Sequence, residues 1–138
     1  MSTKQLQETA LQPSREWIDA GTGAKGVCYV EVIGCDDLPN MEVSLNKEDK
    51  TDAFVSFVYE DVNVTTDIID DSLKPRWMPW SQRAFAFRMM SSTSVLFLGV
   101  FDYDMVRRTE LYEVIFSTDL HICCFQLNRW EVMILLET

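Results

Sequence analysis

Apolar and polar positions alternate with a period of two along most of the chain, which is the signature of strands buried on one face. Residues 27–34 (VCYVEVIG) place Cys28, Val30 and Val32 on one side, and residues 52–60 (DAFVSFVYE) do the same with Val55, Phe57 and Tyr59. Residues 62–69, 83–90 (RAFAFRMM) and 95–101 continue the series, followed by 111–116, 122–127 and 130–136. The last segment also fits helical spacing through Trp130, Met133, Ile134 and Glu137. Between these runs lie a long polar connection at 35–51, a serine-threonine turn at 91–94, and a bend at 72–80 (SLKPRWMPW). Pro75 and Pro79 have no N–H to give to a ladder and exclude a central strand in that bend. Short strands in close succession, without a convincing long helix or an internal repeat, predict an all-β, eight-stranded antiparallel sandwich.

Residues 1–26 break the pattern, being polar, poor in β-branched residues and closed by the turn-like GTGAKG at 21–26. They read as a flexible or partly helical leader to a domain spanning 27–138. Ser14 is expected to cap a short helix carrying Trp17 and Ile18, which docks on that domain. The eighth strand is expected from the C-terminus, with a strand from the leader as the other option.

At 138 residues the chain is long enough for one domain with a sizeable core. Its formal net charge of -10 argues against non-specific nucleic-acid binding, which needs clustered lysine and arginine. It also argues against plain electrostatic adsorption to anionic lipid, unless a bound cation reverses the local sign. Cys28, Cys35, Cys123 and Cys124 show no zinc-ligand spacing and read as buried thiols of a reducing compartment. His121 is the only histidine. No nucleophile–base arrangement or phosphate-cradling glycine loop is present, so a non-enzymatic role is expected.

The chemistry concentrates at residues 96–110 (LFLGVFDYDMVRRTE), where an apolar strand ends in Asp102 and Asp104. Residues two apart on a strand share a face, so both carboxylates point to one spot if the strand persists through Tyr103. Two unit charges about 4 Å apart repel by roughly 4 kcal/mol at an effective dielectric near 20. A cation is expected to join them, and calcium, which takes oxygen ligands from flexible loops, is the natural one.

The order of motifs resembles the C2 domain, a family of calcium- and phospholipid-binding Greek-key β-sandwiches. VEVIGCDDLP at 30–39 resembles the family's opening strand and Leu-Pro turn, and TDAFV at 51–55 its Ser-Asp-Pro-Tyr-Val signature, with Ala53 in place of proline. SLKPRW at 72–77 resembles its Thr-Leu-Asn-Pro-x-Trp bend, and VFDYD at 100–104 its Val-Tyr-Asp-x-Asp strand end. The resemblance covers roughly residues 27–115 and fades after Glu110, where Leu111-Tyr112 stands in place of an aliphatic-glycine pair. It implies a calcium site between the first and third of three loops at one end of the sandwich. Asp52 matches the first loop, Asp102 and Asp104 the third, and Glu110 a position usually held by aspartate. For the earlier first-loop ligand Glu42 is chosen over its competitor Asp49.

On this reading the protein is a cytoplasmic, peripheral module that docks on anionic phospholipid membranes when calcium binds. Met105 and Val106 would enter the lipid interface while Arg107 and Arg108 meet phosphates, with Val43 and Leu45 as further candidates from the first loop. The other reading of Met105-Val106 is a loop tip folded into the core. Trp77, Met78 and Trp80 are expected to pack the core rather than form a recognition patch. The strand at 62–71 (VNVTTDIIDD) is acidic, which disfavours phosphoinositide binding through that face. The alternative to membrane docking is a calcium-independent protein-interaction sandwich whose acidic loops meet a basic partner.

Overall fold

A computed structural model describes residues 1–40, 50–91, 93–103, 109–117, 125–127 and 130–137, the last three stretches as strand backbone. One helix, α1 (Thr3–Ala10), precedes strands β1 (Ile18–Ala20), β2 (Val27–Cys35), β3 (Ala53–Tyr59), β4 (Val62–Thr65) and β5 (Ala84–Arg88). Strands β6 (Val95–Asp102), β7 (Thr109–Ser117), β8 (Phe125–Leu127) and β9 (Trp130–Glu137) follow. They form two sheets, β1-β5-β2-β9-β8 and β4-β3-β6-β7. The neighbours β5 and β2, and β3 and β6, are not consecutive in sequence, so the chain crosses between the sheets as a sandwich requires. All eight expected strands are present. The segment at 130–136, which fitted two periodicities, is a strand paired along β2 from Val27↔Glu137 to Cys35↔Trp130.

The core follows from the alternation. Cys28, Val30 and Val32 of β2 face Val55, Phe57 and Tyr59 of β3 in one buried cluster with Phe85, Phe87, Leu96 and Leu98. Phe57 lies 5.3 Å from Phe85 and Tyr59 5.4 Å from Phe87, ring centre to ring centre. Trp77 is fully buried, and its indole N–H is satisfied by the Asp67 carbonyl at 2.8 Å. Met78 is buried too, whereas Trp80 is 53% exposed and lies under the Arg15 guanidinium at 5.3 Å. The expectation that all three pack the core is therefore corrected for Trp80. The bend turns outward after Met78, and a stacked cation covers the ring.

β2 is buried on both faces, which a half-exposed strand would not be: Glu31 and Ile33 are buried as well as Val30 and Val32. The covering layer is the N-terminal segment. Ala10 and Leu6 of α1 pack with Ile33 and Met78 as a second cluster. The helix is capped by Ser2, whose hydroxyl accepts from the Gln5 N–H while the Gln5 side chain returns to the Ser2 N–H. Ser14, expected to cap a helix, instead lies in the irregular stretch beyond α1 and hydrogen-bonds Glu31 and Arg83. Trp17 and Ile18, expected on that helix, are not helical. Ile18 enters β1, which pairs parallel with β5 and is an addition to the eight expected strands. Trp17 stacks edge-on against Tyr29 at 5.7 Å.

Arg83 fastens this layer. Its guanidinium, 0% exposed, donates to the carbonyls of Ala10 (2.6 Å), Gln12 (2.7 Å) and Trp77 (2.7 Å), and to Ser14 Oγ (2.8 Å). Glu31 supplies the countercharge at 3.8 Å. Burial lowers the Arg83 pKa and Glu31 opposes that shift. An arginine retains its charge even so, which is why the fork must be saturated with acceptors.

The proline bend is fixed to β2 by a close approach at Gly34. A Cβ there would meet Arg76 side-chain atoms at 2.6 Å and the Pro75 carbonyl at 2.8 Å. Arg76 in turn donates to the Cys35 carbonyl and pairs with Asp36, both at 2.8 Å. Cys28 and Cys35 are free and buried, and burial pushes each thiol up to about 12.

Candidate functional site

β3 and β6 are antiparallel neighbours in register Ala53↔Asp102, so the start of one and the end of the other meet at one end of the sandwich. That register brings together two residues fifty positions apart. The Asp52 N–H donates to Asp102 Oδ1 at 3.0 Å, and the Tyr103 N–H returns to the Asp52 carbonyl at 2.8 Å. Asp102 is only 5% exposed.

A further carboxylate, not singled out from the sequence, adjoins the pair. Ala53 and Ile69 exchange backbone hydrogen bonds of 3.0 and 2.8 Å, which carries the chain after β4 back alongside Asp52. The Asp71 N–H donates to Asp52 Oδ1 at 2.8 Å, and Asp71 Oδ1 accepts from the Lys50 N–H at 2.8 Å. Asp71 reaches this place with φ at +56°, a left-handed conformation that aspartate tolerates better than most side chains. No local signal in the sequence pairs residues 52 and 71. The Ala53↔Ile69 bridge does so, and it is a property of the folded chain.

Of the other expected ligands, Glu110 lies in β7, with its backbone opposite Phe101 and thus one register position from Asp102. A bulge between Val100 and Phe101 shifts the β6–β7 register at that point. Glu42, Asp104 and the expected lipid-contact residues Met105, Val106, Arg107 and Arg108 lie outside the described residues. Among the described residues no group of three aspartate, glutamate, histidine or cysteine side chains is poised to hold a metal. The donors that are brought together are carboxylate oxygens, the ligand class that calcium takes. Asp52 and Asp102 therefore fit one side of such a site, and Glu42 and Asp104, which would complete it, lie outside the described residues. No helix among the described residues is long and apolar enough to cross a membrane.

The C2 domain family model matches residues 26–127, which is most of the chain. The chain belongs to the C2 domain family. Solved structures agree in fold. A C2 domain of plant Extended Synaptotagmin 1 superposes with a TM-score of 0.66 at 18% identity, over 80% of this chain and 93% of that one. The calcium-bound pair of C2 domains from Extended-Synaptotagmin 2 gives 0.67 at 16% identity, over 81% of this chain and 45% of that one. Human GIVD cytosolic phospholipase A2 gives 0.67 at 19% identity, where 86% of this chain corresponds to 17% of the enzyme. The chain thus spans about a sixth of that enzyme's length. No curated protein sequence matches the chain significantly.

Proposed function

We propose that this chain is a non-catalytic, calcium-dependent module that docks on anionic phospholipid membranes from the cytoplasm. The observation that carries the reading is the seating of the nearly buried Asp102 carboxylate against the Asp52 N–H, at the end of the sandwich where the strands open into loops. Support comes from the family match and from the calcium-bound state of a similar structure. Asp52, Asp102, Asp104, Glu110 and Glu42 would hold the ion. Calcium, when bound, supplies positive charge and coordination positions for lipid phosphate oxygens.

Without that charge the carboxylates repel both one another and an anionic surface, in a chain whose formal net charge is already -10. Once they are neutralised, Arg107 and Arg108 act on phosphates without an opposing field, and Met105 and Val106 add apolar insertion. This is an electrostatic switch at loops carried by a rigid sandwich.

The test is thermal unfolding with and without millimolar calcium, beside sedimentation with phosphatidylserine vesicles. A ligand that binds only the folded state stabilises it by about 2.7 kcal/mol at a concentration 100-fold above its Kd. A rise in Tm that chelation reverses, together with calcium-gated sedimentation, is the expected result. Indifference to calcium and to lipid would overturn the reading in favour of a calcium-independent interaction module.

A further inference from the structure

A second concavity lies beside the loop end but uses different side chains. It has a volume of about 220 Å³ and is lined by Phe54, Thr65, Thr66, Asp67, Ile68, Gln82 and Tyr103. That volume suits one side chain rather than a cofactor, since pockets for drug-sized ligands run from about 300 Å³ upward.

The wall is fixed before any ligand arrives. The Asp67 N–H donates to the Gln82 carbonyl at 3.0 Å, and the Gln82 N–H returns to Asp67 Oδ2 at 2.9 Å. Gln82 Nε2 donates to the Thr65 carbonyl at 2.7 Å. Thr66 Oγ1 accepts from the Val55 N–H at 2.9 Å and donates to the Asp67 carbonyl at 3.0 Å. The Asp67 carbonyl also receives the indole N–H of the buried Trp77. Phe54 and Tyr103 also line the pocket, edge to face with ring centres 6.4 Å apart, the tyrosine 38% exposed.

What the wall presents is acceptors. Asp67 has no ion pair among the described residues, and its Oδ1 receives no donor there; neither does Gln82 Oε1. Around them are aromatic and aliphatic surfaces. A carboxylate and an amide oxygen beside a π face select a cation that carries N–H donors on an apolar stem. A quaternary ammonium brings the charge without the donors and would leave both oxygens unserved.

We infer that this pocket takes the lysine or arginine side chain of a partner protein, independently of calcium. The head would meet Asp67 Oδ1 and Gln82 Oε1, and the methylene stem would lie against Tyr103 and Ile68. The net charge of -10 favours approach by a basic partner.

The test is an amide chemical-shift titration of the isotope-labelled chain in chelator, with n-butylammonium and n-butylguanidinium as probes. Saturable shifts at Thr66, Asp67, Ile68, Gln82 and Tyr103, in the millimolar range, are expected. Asp67→Asn keeps an oxygen for the Gln82 N–H but removes the charge. It should weaken binding about fivefold, the size of a single exposed charge pair or cation–π contact. Tyr103→Leu, at an exposed position, should weaken it about threefold without disturbing the core spectrum. The inference is overturned if no shift saturates by about 100 mM, or if n-butanol binds as well as the cations. It is also overturned if tetramethylammonium binds more tightly than n-butylammonium, which would assign the pocket to a lipid headgroup. Chelator makes the outcome independent of the calcium site.

Discussion

Arg83 and Asp102 are both nearly buried charges at the ends of strands, yet the chain surrounds them differently. Arg83, just before β5, is enclosed by opposite charge and by acceptors from the N-terminal segment and the bend. Asp102, at the end of β6, accepts the Asp52 backbone N–H, and the Asp52 carboxylate in turn accepts the Asp71 backbone N–H. The first arrangement is complete within the fold and holds a structural layer in place. The second brings acidic residues from separate segments to one end of the sandwich, where the proposed calcium site lies. A buried charge whose partners come from the fold itself secures architecture, whereas the acidic residues gathered at the sandwich end are those the proposed calcium site would use.

The most severe challenge to this contrast is to remove Arg83. Arg83→Met should cost about 3–5 kcal/mol, because Glu31 is left buried without its countercharge and three carbonyls lose a donor. Denaturant unfolding would read the loss, and a cost below about 1 kcal/mol would show that the clamp is dispensable. The calcium response of the folded fraction should persist, since the clamp lies on the outer face of β2 and the acidic end is built by β3 and β6.

The converse variant acts at the loop end. Asp52→Asn with Asp102→Asn should abolish the calcium-dependent rise in stability, about 2.7 kcal/mol at a concentration 100-fold above Kd. Stability in chelator should hold, because each asparagine keeps an acceptor oxygen for the backbone N–H it receives. A calcium-dependent Tm shift that survives both substitutions would place the ion elsewhere.

The pH dependence of stability tests whether the strand beneath the clamp is sealed. Cys28 and Cys35 are held as neutral thiols, with folded pKa values pushed up to about 12 from an ordinary value of 9.0. A raised pKa on an acid means that its stabilising contribution is present below pH 9 and is lost as pH climbs toward 12, because the unfolded chain ionises first. Stability should therefore fall in that window by at most roughly 1.4 kcal/mol per pH unit for each thiol. Cys28→Ala should flatten the slope, and an unchanged slope would show that other groups set it.

Smallest is the exposed stacking of Arg15 on Trp80. Arg15→Ala should cost about 0.5–1 kcal/mol, as an exposed cation–π pair does. A loss as large as that of Arg83→Met would mean that the whole N-terminal segment unclasps through this contact, and the contrast between one buried anchor and its surface neighbours would fail.

The strands, the proline bend and the family were legible in the residues alone. Alternation marked Cys28-Val30-Val32 and Val55-Phe57-Tyr59 as core faces, because a strand's period of two is local and each apolar position declares its side. The motifs around Asp52 and Asp102 indicated that the two would lie close together, although they are fifty residues apart, and the β3–β6 register sets them side by side. Other features needed the folded chain, because they depend on contacts between segments with no common local pattern. Ser14 looked like a helix cap because its type favours that role, but a bond to Arg83, 69 residues away, uses its hydroxyl. Trp80 and Trp77 share one bend and one side-chain type, and only the path of the backbone after Met78 puts one in solvent and the other in the core. β1 pairs parallel with β5 and Asp71 comes to Asp52 through the Ala53↔Ile69 bridge, and neither pairing leaves a periodic trace. Periodicity reports which side of its own strand a residue occupies; which other segment covers that side is set by loop closure and packing, which involve the whole chain at once.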